Sequence, residues 1–390
     1  MESPGIELTD RQRWSVLARI NASSVLSQIV QIGTITPLLS LSMERQGAEP
    51  AQIGLVVSAS WLAILLLYRV VPRLLVLLGL TRAVMISAVL TVASVLGMSL
   101  THNPLMLFAL NFVLGVGLIL RWIASDTWIV LVAQRNERGR AIGVHETLMG
   151  LGIAVGPLLL SLLGVDSALP YCASAALAGA SGALAWTLKD VAVAPGIPVE
   201  KRPLGVLGMI PLALCGAFIA GFSETSSVTF LASYGLAAGY LLATATLLVA
   251  AFGAGGTVLQ LPIGWVADRS SYKVAQLLCG LVLVGGALLI ALCQPYPWLA
   301  ALAAFVWGGA IGGMNTLAVI EAGERVSEKQ LSTAMTAIAL FYTLGSITGP
   351  IVTGAAIGML GDQGLIVSAG AAGTLFVIAL ALHPGSPTRQ

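Results

Sequence analysis

The sequence predicts an all-α integral membrane protein with twelve transmembrane helices in two pseudo-symmetric sets of six. Three observations lead there. Hydrophobic residues make up 57% of the 390 and charged residues only 9%, with a mean hydropathy of +0.94. A soluble globular protein carries roughly 25% charged residues, so this inventory cannot build a water-facing surface. Apolar runs of about 20 residues, enough to cross the hydrocarbon core, recur along the whole chain. The cations, finally, gather on one side of those runs.

Spans are expected at 14–40, 51–71, 83–101, 105–132, 141–164 and 168–188, then at 204–233, 239–266, 274–294, 297–322, 331–359 and 364–382. Most linkers are short, as packed antiparallel neighbours require. The exception is 189–203, which carries Pro195, Gly196, Pro198 and Pro203. It separates an N-terminal six-helix half, 1–188, from a C-terminal half, 204–390. Met1 to Arg13 is polar and mixed in charge, and the first apolar run exceeds a signal-peptide core, so that run reads as an uncleaved signal-anchor. Forty-four glycines suit close helix–helix approach in lipid. Cys172, Cys215, Cys279 and Cys293 lie in apolar runs without metal-ligand spacing and are expected as buried small hydrophobes.

Net charge is only +2, but its distribution is informative. With the N-terminus inside, Arg11, Arg13, Arg19, Arg69, Arg73, Arg82, Arg135, Arg138 and Arg140 fall on the inner side. So do Lys189, Lys201, Arg202, Arg269, Lys273, Arg325, Lys329 and Arg389. These are seventeen of the nineteen cations; Arg45 lies outside and Arg121 within a span. The positive-inside rule then puts both termini in the cytoplasm.

The two halves repeat. Gly152-x-x-x-Gly156-Pro157 in the fifth span answers Gly345-x-x-x-Gly349-Pro350 in the eleventh, and Pro72-Arg73 after the second answers Asp268-Arg269 after the eighth. At these residues the chain resembles the major facilitator superfamily. Gly264-Trp265-Val266-Ala267-Asp268-Arg269-x-x-x-Lys273 is similar to that family's signature loop, and Gly152-x-x-x-Gly156-Pro157 to its fifth-helix motif. Pro72-Arg73-Leu74-Leu75-x-x-x-Gly79-x-x-Arg82-Ala83, Asp126-Thr127-Trp128 and Arg138-Gly139-Arg140 resemble the YcaD-type branch of bacterial permeases. The resemblance spans about 15–382. It implies two parallel six-helix halves around a midplane site, with helices 1, 4, 7 and 10 lining the cavity. It also implies a bacterial-type inner membrane, a monomer, no cofactor, no metal and no nucleic-acid partner. Three positions depart from the pattern. Pro72 replaces the expected Asp, Asp126 stands for Glu, and Arg121 occupies an apolar position.

Polar residues within spans carry the site hypotheses, because a charge at mid-membrane costs about 2.5–3.5 kcal/mol on insertion scales. Asn21, Ser24, Gln28 and Gln31 recur at steps of three, four and three, one face of the first helix. That face is expected against a water-filled cavity or in interhelical hydrogen bonds. Trp61, Trp122 and Asn315 are further cavity candidates. Arg121 is expected to bind an anionic or polar group of the substrate and Glu224 to carry a coupling proton; a structural charge pair is the plain alternative. Asp126, about 140° from Arg121 around the helix, is a second coupling candidate and is expected beside Arg138 or Arg140. His145 and Glu146 are expected to pair with the same basic hairpin, and Glu321 and Glu324 to form a solvated cluster with Arg325.

The resemblance also implies that Asp268, Arg269 and Lys273 face Arg138, Arg140 and the N-terminus of the fifth helix as an inner gate, with orientation and contact with anionic headgroups as the plain alternative. Gly152, Gly156, Pro157, Gly345, Gly349 and Pro350 pack or hinge the outer half.

The function these features predict is secondary active transport of a small organic solute by alternating access, with proton coupling. No nucleotide-binding loop is present, which excludes primary pumping. Three scattered histidines argue against a membrane-embedded enzyme. A sensor or assembly factor on the same scaffold would not need the polar stripe. Trp61, Trp122 and Phe222 would suit export of amphipathic compounds; Gln28, Gln31 and Arg121 would suit uptake of sugars or carboxylates.

Overall fold

The computed structural model describes residues 9–134, 137–191 and 206–383, apart from the side chains of Glu328 and Lys329. Arg135, Lys201, Arg202, Arg389 and most of the 189–203 linker therefore lie outside the described residues. The described chain is helical: α1 (Asp10–Arg45), α2 (Pro50–Leu67), α3 (Leu80–Met98), α4 (Pro104–Val132), α5 (Arg138–Leu163), α6 (Leu169–Trp186), α7 (Pro211–Ala237), α8 (Leu242–Arg269), α9 (Tyr272–Leu292), α10 (Pro297–Arg325), α11 (Glu328–Leu360) and α12 (Gln363–Leu382). Eleven of these are long and apolar enough to cross a membrane. The twelfth, α6, spans 18 residues rich in Ala, Ser and Gly, which lowers its hydropathy.

Local chemistry explains the ends. Thr9 and Gln12 form a capping box at the start of α1, and Asn103 caps α4 by accepting from the backbone N–H groups of Leu105 and Met106. Proline opens α2, α4, α7 and α10, where a missing N–H costs nothing. The second span is shorter than its expected 51–71. It stops at Leu67, and a separate helix, Val71–Leu78, begins with Pro72 in its first turn and ends at Gly79, whose φ of +77° only glycine adopts without strain. Inside α8 the ladder breaks at Leu259, three residues before Pro262, whose ring cannot accept the preceding turn. Pro157 and Pro350 lie within α5 and α11.

One local departure has no sequence signal of its own. Ile29–Thr34 of α1 is wound as a π-helix, with the Thr34 hydroxyl donating to the Ile29 carbonyl at 2.8 Å. Such wider turns concentrate at functional sites.

Packing groups the chain into two compact units, Met1–Leu38 with Ala59–Val199, and Leu39–Ser58 with Glu200–Gln390. In the first, the π segment of α1 lies directly on the glycine element of α5. A Cβ at Gly156 would sit 2.2 Å from the Gly33 carbonyl carbon, and one at Gly33 would sit 2.6 Å from the Gly152 oxygen. Buried serines join α1 to α6, with Ser23 and Ser27 each within 2.9 Å of Ser181.

The second unit uses the duplicated element in the same way. Cβ atoms at Gly345 and Gly349 of α11 would meet the Phe218 and Phe222 carbonyls of α7 at 2.0 and 2.3 Å. The first turns of α2 also pack on α11 there, where Gly54 leaves room for the Pro350 carbonyl and the Ser58 hydroxyl donates to the Ile347 carbonyl at 2.8 Å.

The cysteines do not share the expected burial. Cys279 is buried, Cys215 and Cys293 are half-buried and Cys172 is exposed, all as free thiols. Apolar character places a residue in a span but not on its packed face.

Candidate functional site

The first unit holds a buried polar centre at mid-depth in α4. Arg121 is 2% exposed, and its guanidinium reaches α1 through two amides: Nη2 donates to Gln28 Oε1 at 2.6 Å and Nε to Gln31 Oε1 at 3.0 Å. Gln31 in turn donates to the Thr91 hydroxyl of α3 at 2.8 Å. Arg121 Nη1 faces only the Met149 sulfur, a weak acceptor, at 3.5 Å. Among the described residues of this unit, no carboxylate forms an ion pair with Arg121. A buried cation whose direct ligands are neutral amides is costly, because the carboxylates of Asp126 and Glu146 act on it only from beyond ion-pair distance.

Gln28 and Gln31 sit at the edge and inside of the π segment, so the widened turn supplies both partners of the arginine. Ser24, one turn earlier, donates to Ser125 of α4 at 2.8 Å. All four members of the α1 stripe hydrogen-bond inside the unit.

The fourth member, Asn21, leads to a second cluster. Its Nδ2 donates to the Leu17 carbonyl at 2.9 Å, which leaves Oδ1 facing His145 Nδ1 at 2.8 Å. His145 Nε2 lies 3.3 Å from Asp126 Oδ1. One ring nitrogen thus faces an oxygen of α1 and the other an oxygen of α4. Asp126 and His145 were expected on the basic hairpin; instead the buried histidine of α5 pairs with the aspartate of α4. The side chain of Arg140 stacks over Trp14 at 5.8 Å, and Glu146 is exposed.

In the second unit, Glu224 of α7 is half-buried and accepts a hydrogen bond from the Tyr342 hydroxyl of α11 at 2.8 Å. Asn315 is half-buried on α10. Trp61 is 6% exposed, whereas Trp122, one position beyond Arg121, is 36% exposed. Asp268 and Arg269 are exposed at the end of α8, with Arg269 over the Trp265 ring at 4.2 Å, and Lys273 lies in the first turn of α9.

The expected solvated cluster at the end of α10 is corrected. Glu321 is 0% exposed, accepts from Gln276 Nε2 of α9 at 2.9 Å and lies 3.4 Å from Arg325 Nε; Glu324 is exposed. Sequence spacing alone misses this site, because Gln276 sits in an apolar run on another helix. Among the described residues, no group of three or more His, Cys, Asp or Glu side chains could hold a metal ion.

Long apolar helices, a duplicated glycine–proline element and buried polar centres within spans define a multi-pass membrane protein of the transporter class. The sequence profile of the Major Facilitator Superfamily matches residues 22–240 and 213–390, and the chain belongs to that superfamily of membrane transporters. It is similar to the uncharacterized MFS-type transporter YfkF of Bacillus subtilis, 23% identical over 331 residues, 83% of this chain and 84% of the relative. It is also similar to the uncharacterized MFS-type transporter YcaD of Escherichia fergusonii, 24% identical over 379 residues, 94% of this chain and 96% of the relative. Among solved structures, a mutant of the nucleoside transporter NupG superposes with a TM-score of 0.82 at 16% identity, covering 94% of this chain and 99% of that one. A bacterial homolog of the human lysosomal transporter Spinster, inward-facing and unoccupied, gives 0.72 at 15% identity, with 96% of each chain covered.

Proposed function

We propose that this protein is a secondary active transporter that carries a small anionic organic solute by alternating access and couples its movement to protons. The carrying observation is Arg121, a buried guanidinium whose ligands are two neutral amides and a thioether. Two of its five N–H groups donate to strong acceptors, so the rest can receive a carboxylate or phosphate, whose charge would relieve the buried cation. Glu224 is the proposed proton carrier in the second unit and Asp126 in the first. The halves 1–188 and 204–390 are the proposed rocking bodies, with the two glycine–proline elements as packing or hinge points. In this reading Asp268, Arg269 and Lys273 close the inner gate against the start of α5 near Arg138 and Arg140. The protein works as a monomer in a bacterial cytoplasmic membrane, both termini inside.

The test begins with a thermal-shift screen of the purified protein against organic anions, since a ligand stabilises the state that binds it. The stabilising solute then enters proteoliposomes with an imposed pH gradient. Wild type accumulates it. Glu224→Gln loses gradient-driven accumulation while retaining solute exchange; accumulation by that variant would overturn the coupling role. Asp268→Asn raises labelling of a cysteine probe in the inner vestibule, and unchanged labelling would remove the gate.

A further inference from the structure

The outward faces of α3 and α6 enclose an apolar groove of about 620 Å³ that no step of solute transport uses. Val89 and Val92 form one wall, Gly179 and Gly182 open the floor, and Trp186 stands at one end. The groove exists because α6 is built from small residues. The Cβ that Gly182 lacks would lie 2.8 Å from Ala88, so the helices close tightly there, while Gly179 faces open space.

The end marked by Trp186 is cationic. Lys189 Nζ lies 5.0 Å from the centre of the Trp186 ring. Arg19 of α1 reaches the same turn, donating to the Thr187 carbonyl at 3.2 Å. Arg82 is exposed one turn before the groove residue Met85 and lies on its face of α3, since positions three apart are neighbours. Asp190 adds one carboxylate to this end. A long apolar slot closed at one end by cations and an exposed tryptophan has the polarity of a phospholipid: acyl chain in the slot, phosphate among the cations.

We infer that the α3–α6 groove is a binding site for an anionic glycerophospholipid of the surrounding bilayer. The acyl chain lies along Val89, Val92 and Gly179, and the headgroup phosphate is held by Lys189, Arg82 and Arg19. The inference is independent of the transported solute and of proton coupling.

Native mass spectrometry of the detergent-purified full chain, titrated with phosphatidylglycerol or with phosphatidylcholine of the same acyl chains, tests it. Wild type should take up its first phosphatidylglycerol at least about fivefold more tightly than phosphatidylcholine, the worth of one cation near an anionic surface. Arg82→Gln and Lys189→Gln should each weaken phosphatidylglycerol binding by roughly that factor and phosphatidylcholine, whose choline cation offsets its phosphate, by clearly less. Gly179→Leu, whose side chain enters open space, should weaken both lipids. Equal affinity for the two lipids in wild type would overturn the anionic headgroup site. Unchanged binding by Gly179→Leu would overturn the groove. Melting temperatures measured without added lipid should stay near wild type for all three variants, which separates lost binding from lost folding.

Discussion

Arg121 Nε donates to Gln31 Oε1 over 3.0 Å, and Gln31 lies inside the π-helical turn of α1. The arginine and the irregular turn belong together. The amides of Gln28 and Gln31 both point at one guanidinium, and the same turn bares Gly33 to the glycines of α5. A buried charge and a close backbone contact therefore share one short stretch of α1.

Substituting Arg121 separates its structural from its chemical part. Arg121→Lys keeps the charge but presents a single ammonium that cannot bond Gln28 and Gln31 together in the fork geometry of arginine. One amide oxygen is left buried without a donor, a loss of about 1–3 kcal/mol, to be read as a lower melting temperature. Arg121→Gln removes the charge while its amide can still donate to one glutamine. It should fold, melt near the lysine variant or above it, and lose stabilisation by organic anions. Retained anion stabilisation in Arg121→Gln would show that the guanidinium is not the binding group.

The contact between α1 and α5 predicts a sharp contrast between glycines. Gly156→Ala places a methyl 2.2 Å from the Gly33 carbonyl carbon, where only backbone movement can make room. Overpacking of this kind costs about 1–3 kcal/mol. Gly143 lies on the same helix with open space where its Cβ would stand, and Gly143→Ala should be neutral or stabilising by up to about 1 kcal/mol through helix propensity. Paired thermal melts decide it, and equal melting of the two variants would mean that α1 and α5 do not touch through these glycines.

These elements also mark how far sequence reading reaches. The helices are legible because hydropathy is a local, additive property: runs such as Leu105–Val132 and Leu365–Leu382 need no partner to be recognised. The glycine–proline elements are legible because they occur twice. The π turn is not, since Ile29-Val30-Gln31-Ile32-Gly33-Thr34 contains no residue that demands it. Nor are the pairs His145–Asp126 and Glu321–Gln276, each of which joins two helices whose relative rotation is set by packing. The one-face spacing of Asn21, Ser24, Gln28 and Gln31 shows a polar stripe but does not say which groups it meets.

His145 is held at both ring nitrogens, and the two contacts should contribute unequally. Asn21 Oδ1 is partly buried, whereas Asp126 is 43% exposed and recovers water when its partner is lost. His145→Phe should therefore cost about 1–3 kcal/mol, mostly from the stranded Asn21 oxygen. Asp126→Asn should cost clearly less. Thermal melts of the two variants decide it, and an equal loss for both would mean that the Asn21 contact contributes no more than the Asp126 contact.

The Glu321–Arg325 pair is asymmetric, and the asymmetry gives its test. Glu321 is 0% exposed, while the Arg325 side chain is 23% exposed and also meets the Tyr272 hydroxyl at 3.2 Å and the Met209 carbonyl at 3.4 Å. Removing the arginine strands a carboxylate whose remaining hydrogen bond is from the Gln276 amide, at 2.9 Å. Removing the glutamate strands a cation that retains other acceptors and water. Breaking a buried pair from the side that leaves the buried charge costs about 3–5 kcal/mol. Arg325→Ala should approach that figure, and Glu321→Ala should fall nearer to about 1–3 kcal/mol, the scale of an unpaired Gln276. The double variant should lose less than the sum of the two, because the second substitution removes the charge that the first had stranded. Additive losses in the melting series would mean that the carboxylate and the guanidinium do not sense one another, and the buried glutamate would then owe its place to Gln276 alone.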